Sequence, residues 1–437
     1  MDKQIVKPSI LPGFMELLPS DQILFNKMLD TIRKNYEKYG FIPVDTPMIE
    51  KSEILLAKGG GETEKQIYRF TKGDSDLSLR FDLTVPLARY VAQHFSDLNF
   101  PFRRYHISKV FRGERNQKGR FREFYQCDID IIGNNKLSIV NDAEIPSIIY
   151  STFKDLGFDS FTIHINNRKI LNGFYDALEI ENKIDVLRTI DKLDKIGIAA
   201  VKEELSKLEI SEEKTNKIVT FIEIDGTNSE IISELDKLDI NNEIFIQGVE
   251  ELKKVIHYIG SFNVPEKSYK VDLKIARGLD YYTGTIYETT LDDYPQIGSV
   301  CSGGRYDNLA DYYTKEKLPG VGISIGLTRL FYQLREANII SNESSSLTQL
   351  LILPLNTDID YSIKLATELR KNNIISEVYF DEVKMNKKMN YADKLGIPLV
   401  LFIGDEEIQS GILTLKDMKS GEQFKLTLQQ IIDKVGE

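Results

Sequence analysis

The run FRGERNQKGRFREFYQCDID, from Phe111 to Asp130, constrains the fold more than any other stretch of the chain. It reads as a strand end, a basic turn and a second strand. Side chains along a strand alternate between faces, so Phe124, Gln126, Asp128 and Asp130 share one side with Arg120 and Arg122. Arg112 and Glu114 close the first strand within reach of that side. One surface therefore presents a flat ring, an amide, carboxylates and guanidinium groups. An aromatic wall and planar cations suit a nucleotide's base and phosphates. Carboxylates and an amide suit the polar atoms of a small amino acid. Cys127 alternates to the opposite face and reads as a buried thiol.

Three further stretches carry chemistry. Val271 to Ile275 alternates apolar and polar residues like a strand, and RGLDYYTGT, Arg277 to Thr285, follows it. An arginine, two tyrosines and a glycine make a poor core, because buried hydroxyls need partners and arginine rarely goes inside unpaired. In LRFDLTVPLAR, Leu79 to Arg89, Asp82 and Thr84 fall on one strand face and offer acceptors to an ammonium group. GVGISIGLTRLF, Gly320 to Phe331, reads as a strand entering a helix. Arg329 lies in that helix's first turn, where free N–H groups favour anions.

A chain of 437 residues should hold more than one domain, since single cores seldom exceed roughly 250–300 residues. No run approaches the roughly 20 apolar residues of a membrane span. The N-terminal residues lack the apolar core of a signal peptide and the Arg/Ser-rich character of a transit peptide. Two cysteines and four scattered histidines make neither a disulfide framework nor a metal cluster, so a reducing, cytoplasmic setting is expected. The net charge of −11 argues against broad nucleic-acid binding. Yet Arg103 to Arg122 holds eight Lys or Arg against one acid, Glu114, so a polyanion could reach this region.

The first helix is expected after Pro19, capped by Ser20. Phe25, Leu29, Ile32, Tyr36 and Tyr39 form its apolar stripe, and Gly40 ends it. Phe41 to Val44 then leads to Pro47. The three glycines in Lys58 to Glu62 suggest a loop that serves as connector or flap. Residues 166–262 mix Leu187, Ile190, Leu193, Ile196 and Ile198 with many charges and read as a helical insertion. Ser341 to Ser346 is a polar linker, giving domains 1–346 and 347–437. Beyond it, strands at Leu350–Leu355, Ile375–Phe380 and Leu399–Ile403 alternate with helices, one carrying Ile359, Ile363, Ala366 and Leu369 on one face. A small parallel or mixed α/β sheet follows from that alternation. Lys384, Lys387, Lys388 and Lys394 cluster beside it.

The pattern Phe-Arg-x-Glu, loop, Arg-x-x-x-Phe resembles the second signature motif of class II aminoacyl-tRNA synthetases. The helix running into a strand that stops at Pro47 resembles their first motif, and Gly320 to Phe331 their third. Tyr125 to Asp130 and Arg277 to Tyr282 resemble the histidyl-tRNA synthetase family specifically. Arg80 to Pro86 is similar to one branch of it; another branch carries Glu-Gly-Thr there.

This resemblance implies an α+β catalytic domain, an antiparallel sheet flanked by helices, with a helical insertion that helps hold the tRNA acceptor arm. It implies a C-terminal α/β anticodon-binding domain and a homodimer. The substrates it implies are L-histidine, ATP with Mg2+, and tRNA(His), with no membrane partner. By the same resemblance Arg112 and Arg277 bracket the α-phosphate. Arg120 and Arg329 hold the tail and base of ATP, Phe124 stacks on adenine, and Glu114 contacts its amino group. Asp82, Thr84 and Gln126 hold histidine's amino group; Asp130 and Tyr282 read its imidazole, with Tyr281 lining the pocket. Magnesium ligands are not identified. The alternative is a non-catalytic, histidine-sensing paralogue that regulates ATP phosphoribosyltransferase; such proteins lack the C-terminal domain and lose active-site arginines. Two positions depart from the family pattern. Asn116 stands where many members have proline, and Cys301-Ser302 replaces smaller residues without touching an assigned role.

Overall fold

The computed structural model describes residues 5–57, 62–115, 119–275, 282–341, 344–355 and 359–436. Two compact units emerge, Met1–Met15 with Leu29–Glu336 and Glu16–Met28 with Ala337–Glu437. Strands of the first unit are, in chain order, β1 (Ile42–Pro43), β2 (Ile49–Lys51), β3 (Arg69–Lys72), β4 (Ser75–Leu79), β5 (Phe102–Phe111) and β6 (Glu123–Ile132). They continue with β7 (Phe161–Asn167), β8 (Tyr269–Val271), β9 (Thr285–Leu291), β10 (Ser299–Tyr306) and β11 (Gly320–Ile325). Eight of them form one sheet in the order β1-β5-β6-β11-β10-β9-β7-β8, and β2-β4-β3 form a small second sheet. The large sheet is antiparallel except at its edges, where β1 runs parallel to β5 and β8 to β7.

The first helix, Pro19–Lys38, begins one residue before the expected cap. Proline suits a first helical position, where its missing N–H would have no partner anyway. Phe25, Ile32 and Tyr36 are buried as the stripe requires, joined by Met28 and Asn35. Gly40 takes φ +75°, and the Phe41 N–H reaches back 3.3 Å to the Tyr36 carbonyl, a closure that needs a left-handed residue. The chain then enters β1, whose Pro43 is tolerated because the strand is an edge.

Three local expectations are corrected. Thr84 is not on a strand: it opens the helix Thr84–Gln93. Asp82 Oδ1 accepts the N–H groups of Thr84 at 3.1 Å and Val85 at 2.9 Å, and such local bonds compete with a strand ladder. The strand before Arg277 stops at Val271, because the Asp272 side chain accepts the Lys274 N–H at 3.0 Å and folds a turn. In the insertion, helices run from Arg168–Ala177 to Glu243–Ser261 as expected. Leu187, Ile190 and Leu193 are buried, but Ile196 and Ile198 are exposed on either side of Gly197, whose φ of +76° breaks the helix between them.

The second unit holds β12 (Leu350–Pro354), β13 (Ser376–Val378), β14 (Leu399–Ile403), β15 (Leu413–Asp417) and β16 (Gln423–Leu426). Their order is β13-β12-β14-β15-β16. The first three are parallel and the last two join antiparallel, so the sheet is mixed. The helix Ile359–Lys371 buries Ser362, Leu365, Ala366 and Leu369. Ile359 and Ile363, expected on that face, are exposed. The linker reading also changes. The Ser345 N–H donates to the Leu395 carbonyl at 3.0 Å, and the Ser344 hydroxyl lies 3.1 Å from the same oxygen. Residues 344–346 are thus fastened to the end of the helix Met385–Leu395.

Candidate active site

β5 and β6 pair so that Arg104 faces Asp130, His106 faces Asp128, Ser108 faces Gln126 and Val110 faces Phe124. A cavity of about 300 Å³ opens where this hairpin meets β10, β11 and the helix Leu327–Glu336. Arg112, Glu114, Arg120, Phe124, Gln126 and Arg329 line it, and Cys301, Ser302, Ser324 and Gln333 complete much of the wall. Residues far apart in sequence, 112 and 329, therefore share one space. The Tyr125 N–H donates to Thr328 Oγ1 at 2.8 Å and fixes the arginine-bearing helix on β6.

The Arg112 guanidinium lies 4.3 Å from the centre of the Phe81 ring and 5.1 Å from that of Phe124. Its Nε donates to the Phe81 carbonyl at 3.2 Å. Stacking on two rings and a hydrogen bond to the backbone help fix this cation in the wall of the cavity it lines. Arg120 pairs with Glu114 at 3.3 Å. Arg329 Nη2 donates to the Ile297 carbonyl at 3.3 Å.

Arg122 departs from the expected face. β6 begins only at Glu123, and Arg122 Nε donates to the Glu114 carbonyl at 3.0 Å while its N–H binds the Gly13 carbonyl at 2.7 Å. It braces the turn instead of lining the cavity. The basic run is likewise more internal than its charge suggested. Arg104 is fully buried, Arg103 is 2.9 Å from Glu144, and Lys109 is 2.6 Å from Glu123.

Below the cavity lies a buried polar layer. Gln126 Nε2 donates to Ser324 Oγ at 2.9 Å, and the Ser324 hydroxyl in turn bonds the Asp128 carboxyl. Asp130 Oδ2 is 2.5 Å from Arg104, and its Oδ1 accepts the Tyr306 hydroxyl at 2.7 Å. A Cβ at Gly322 would run into the Asp130 carboxylate, so β11 approaches β6 this closely only as glycine. Burial pushes both carboxyls up, Asp128 to about 7, against the pull of Arg104. His106, 2.8 Å from Asp45, is held down to about 3 by burial and by Arg104 and Arg80. Its ring is neutral.

Asp82 is half-buried at the head of its helix, and its charge is felt at both Asp128 and Asp130. Tyr282 packs on the cluster containing Leu87, Phe102 and Tyr306. Asp82, Thr84, Asp130 and Tyr282 do not line the 300 Å³ cavity. Arg277, Tyr281, Asn116 and the glycine loop at 58–61 lie outside the described residues. Sequence reasoning passed over Arg104, Ser324 and Tyr306. Arg104 had a signal, since two basic positions alternate on β5 opposite two acidic ones on β6; Ser324 had none. Cys301 and Ser302, given no role, are wall residues.

The family profile described as "Histidyl-tRNA synthetase" matches residues 13–330, and that described as "Anticodon binding domain" matches residues 349–437. The Histidine--tRNA ligase of Clostridium tetani (strain Massachusetts / E88) is 69% identical over 99% of each chain. That of Finegoldia magna is 51% identical over 99% of this chain and 100% of its own. The crystal structure of histidyl-tRNA synthetase from Nostoc sp. PCC 7120 matches with a TM-score of 0.92 at 41% identity, covering 99% of both chains. The chain belongs to the class II aminoacyl-tRNA synthetases and, within them, to the histidyl-tRNA synthetase family.

Proposed function

We propose that this protein activates histidine with ATP and transfers it to tRNA(His). The observation that carries this reading is the gathering of Arg112, Glu114, Arg120, Phe124, Gln126 and Arg329 around one cavity. Histidine's carboxylate attacks the α-phosphorus, the bond to the β-phosphate bridging oxygen breaks, and pyrophosphate leaves. The 3′-hydroxyl of the terminal ribose then takes the acyl group and AMP departs.

No protein nucleophile is required, because the task is to position two anions and hold developing negative charge. Arg112 meets the α-phosphate from the hairpin, and Arg277 is assigned to the same phosphate. Arg120 and Arg329 hold the remainder of ATP, Phe124 stacks on adenine, and Glu114 stands at its amino group. Asp82, Thr84 and Gln126 take the amino group of histidine. Asp130 and Tyr282 read the imidazole, beside Tyr281. Carboxylate oxygens each have two lone pairs, so Asp130 serves Arg104, Tyr306 and an imidazole N–H together.

Among the described residues, no three His, Cys, Asp or Glu side chains are grouped to hold a metal alone. Mg2+ usually keeps its waters and takes phosphate oxygens with one or two carboxylates, and no residue of the wall is assigned to it, since Glu114 already stands at the adenine amino group. When bound with ATP the ion neutralises phosphate charge.

The 1–346 segment acts as catalytic domain and 347–437 as the tRNA-anticodon module. We assign a homodimer, supported by the exposed edge strand with Ile42 and by the exposed apolar side chains of Met48, Ile49 and Phe70. A cytoplasmic setting is supported by two buried, unbonded cysteines. No described helix is long and apolar enough to cross a membrane. ATP–pyrophosphate exchange with each of the twenty amino acids tests the whole reading. Histidine alone should support exchange. Histidine binding with no exchange would favour the regulatory alternative, against which stand Arg112 and Arg329 in the wall.

A further inference from the structure

Among the described residues, two buried acceptor atoms at the floor of the site have no donor: Gln126 Oε1 and Asp128 Oδ1. They belong to residues two apart on one face of β6, joined through Ser324, which takes the Gln126 amide N–H and bonds the Asp128 carboxyl. Gln126 and Ser324 border the cavity, and Asp128 lies buried beside Ser324, outside the lining itself. A buried acceptor left unpaired carries its full desolvation cost. Two of them side by side call for a group that brings several N–H donors.

Charge points the same way. Three carboxylates, Asp82, Asp128 and Asp130, are within electrostatic reach of one another. Arg104 faces them 2.5 Å from Asp130, yet its Nε, Nη1 and Nη2 make no hydrogen bond among the described residues. Arg80, also felt at this layer, is committed to the Lys109 carbonyl at 2.8 Å, the Thr46 carbonyl at 2.6 Å and Ser108 Oγ at 2.5 Å. The other titratable groups around Asp128 are Tyr36, Cys127 and Cys301, all pushed up by burial and uncharged at neutral pH. His106, across the hairpin, is neutral as well. Arg104 is thus one buried guanidinium facing three carboxylates, and it leaves Gln126 Oε1 and Asp128 Oδ1 without a hydrogen bond among the described residues. An ammonium group has three donors and a compact charge.

We propose that Asp128 is a direct partner of the substrate's α-ammonium, which it grips together with Gln126 Oε1 and Asp82. No role fell to Asp128 in the assignments above. The inference rests on the reading of this site as the histidine-activating centre. It makes recognition of the amino group a matter of sheet residues as well as of the helix-capping Asp82, and it explains why β6 carries a buried carboxyl beside Asp130.

The test uses the full-length enzyme and its Asp128→Asn and Asp128→Ser variants, with three ligands. Histidine has both ammonium and carboxylate, histidinol keeps only the ammonium, and imidazole-4-propionate keeps only the carboxylate. Losing a hydrogen bond to a charged group predicts that the histidine KM and the histidinol inhibition constant both rise roughly 10- to 100-fold. The propionate inhibition constant should stay within about twofold, and the KM for ATP should not move. Equal weakening of all three ligands would overturn the proposal and leave Asp128 a structural support. Wild-type exchange with histidine separates this outcome from failure of the underlying assignment. Should neither variant fold, calorimetry on the wild type in buffers of different ionisation enthalpy decides. At pH 7 histidine should release more protons than the propionate once each ligand's own ring titration, measured separately because the ammonium lowers the ring pKa of histidine, is subtracted. Equal release would sink the idea.

Discussion

The two large sheets of this protein spend their interiors differently. In the second unit, Leu350 to Pro354 of β12 are all buried. Leu350, Ile352, Leu401 and Ile403 join one apolar cluster; Leu351, Leu353 and Val400 join another. Both faces of that sheet are core, so its chemistry must sit on the rim, where Lys384, Lys387 and Lys394 stand exposed. In the first unit, β5 and β6 carry Arg104, His106, Asp128 and Asp130 fully or nearly buried, with acceptors left unpaired. Burying such groups costs stability unless something answers their charge. The contrast teaches that the catalytic sheet is built to be completed by substrate, whereas the C-terminal sheet is complete alone.

The largest effect should come from Arg112→Ala. It removes a preorganised cation from the cavity wall, and loss of one such group commonly costs about 100- to 1000-fold. ATP–pyrophosphate exchange should fall by that much while tRNA binding, measured by filter retention, holds. A decline in both would break the division between the sheets. A smaller and opposite effect is expected from Lys384→Ala, Lys387→Ala and Lys394→Ala together. Removing a lysine that neutralises a phosphate weakens nucleic-acid binding and flattens its salt dependence. The tRNA KM in charging should rise roughly tenfold, with exchange unchanged. Lys388 is left in place because it is buried and donates to the Pro354 carbonyl at 3.0 Å.

Much of this division was legible in the chain itself, and the exceptions are physical. The hairpin could be read because its residues are adjacent, and strand alternation put Phe124 and Gln126 on one side. Arg329 could be placed because a glycine-flanked strand running into a helix is a local pattern. Thr84 was misplaced because a side-chain cap from Asp82 overrode the apparent strand. Ile359 and Ile363 were misjudged because apolar spacing alone does not say which half of a stripe meets the sheet. Ser324 escaped because its importance comes from register: β11 sets it opposite Asp128, a pairing across nearly 200 residues of chain.

The smallest effect, and the sharpest for the comparison, is a pH dependence with two opposite signs. Asp128 is raised from its ordinary value to about 7, chiefly by burial, with Asp130 and Asp82 adding to it and Arg104 and Ser324 opposing. The empty folded state therefore holds this proton more tightly than the unfolded chain does. The group's contribution to stability is present at low pH and lost as pH rises through about 7. An incoming ammonium prefers the ionised carboxylate, so histidine affinity should run the other way and fall as pH drops through the same range. Between pH 7.5 and 6.5 an affinity that needs one ionised carboxylate weakens roughly threefold. The histidine KM should follow that course in the wild type and lose it in Asp128→Asn, a comparison in which titration of the ligand's ring is the same on both sides. Over the same interval the melting temperature of the ligand-free enzyme, compared with that of Asp128→Asn, should rise as pH falls. No such opposition is expected of the C-terminal sheet, whose buried interior has no carboxyl raised by burial among the described residues. If KM and melting temperature instead shifted in ways that Asp128→Asn left untouched, the unpaired layer of the catalytic sheet would be inert to protons, and its difference from the C-terminal sheet would be one of packing alone.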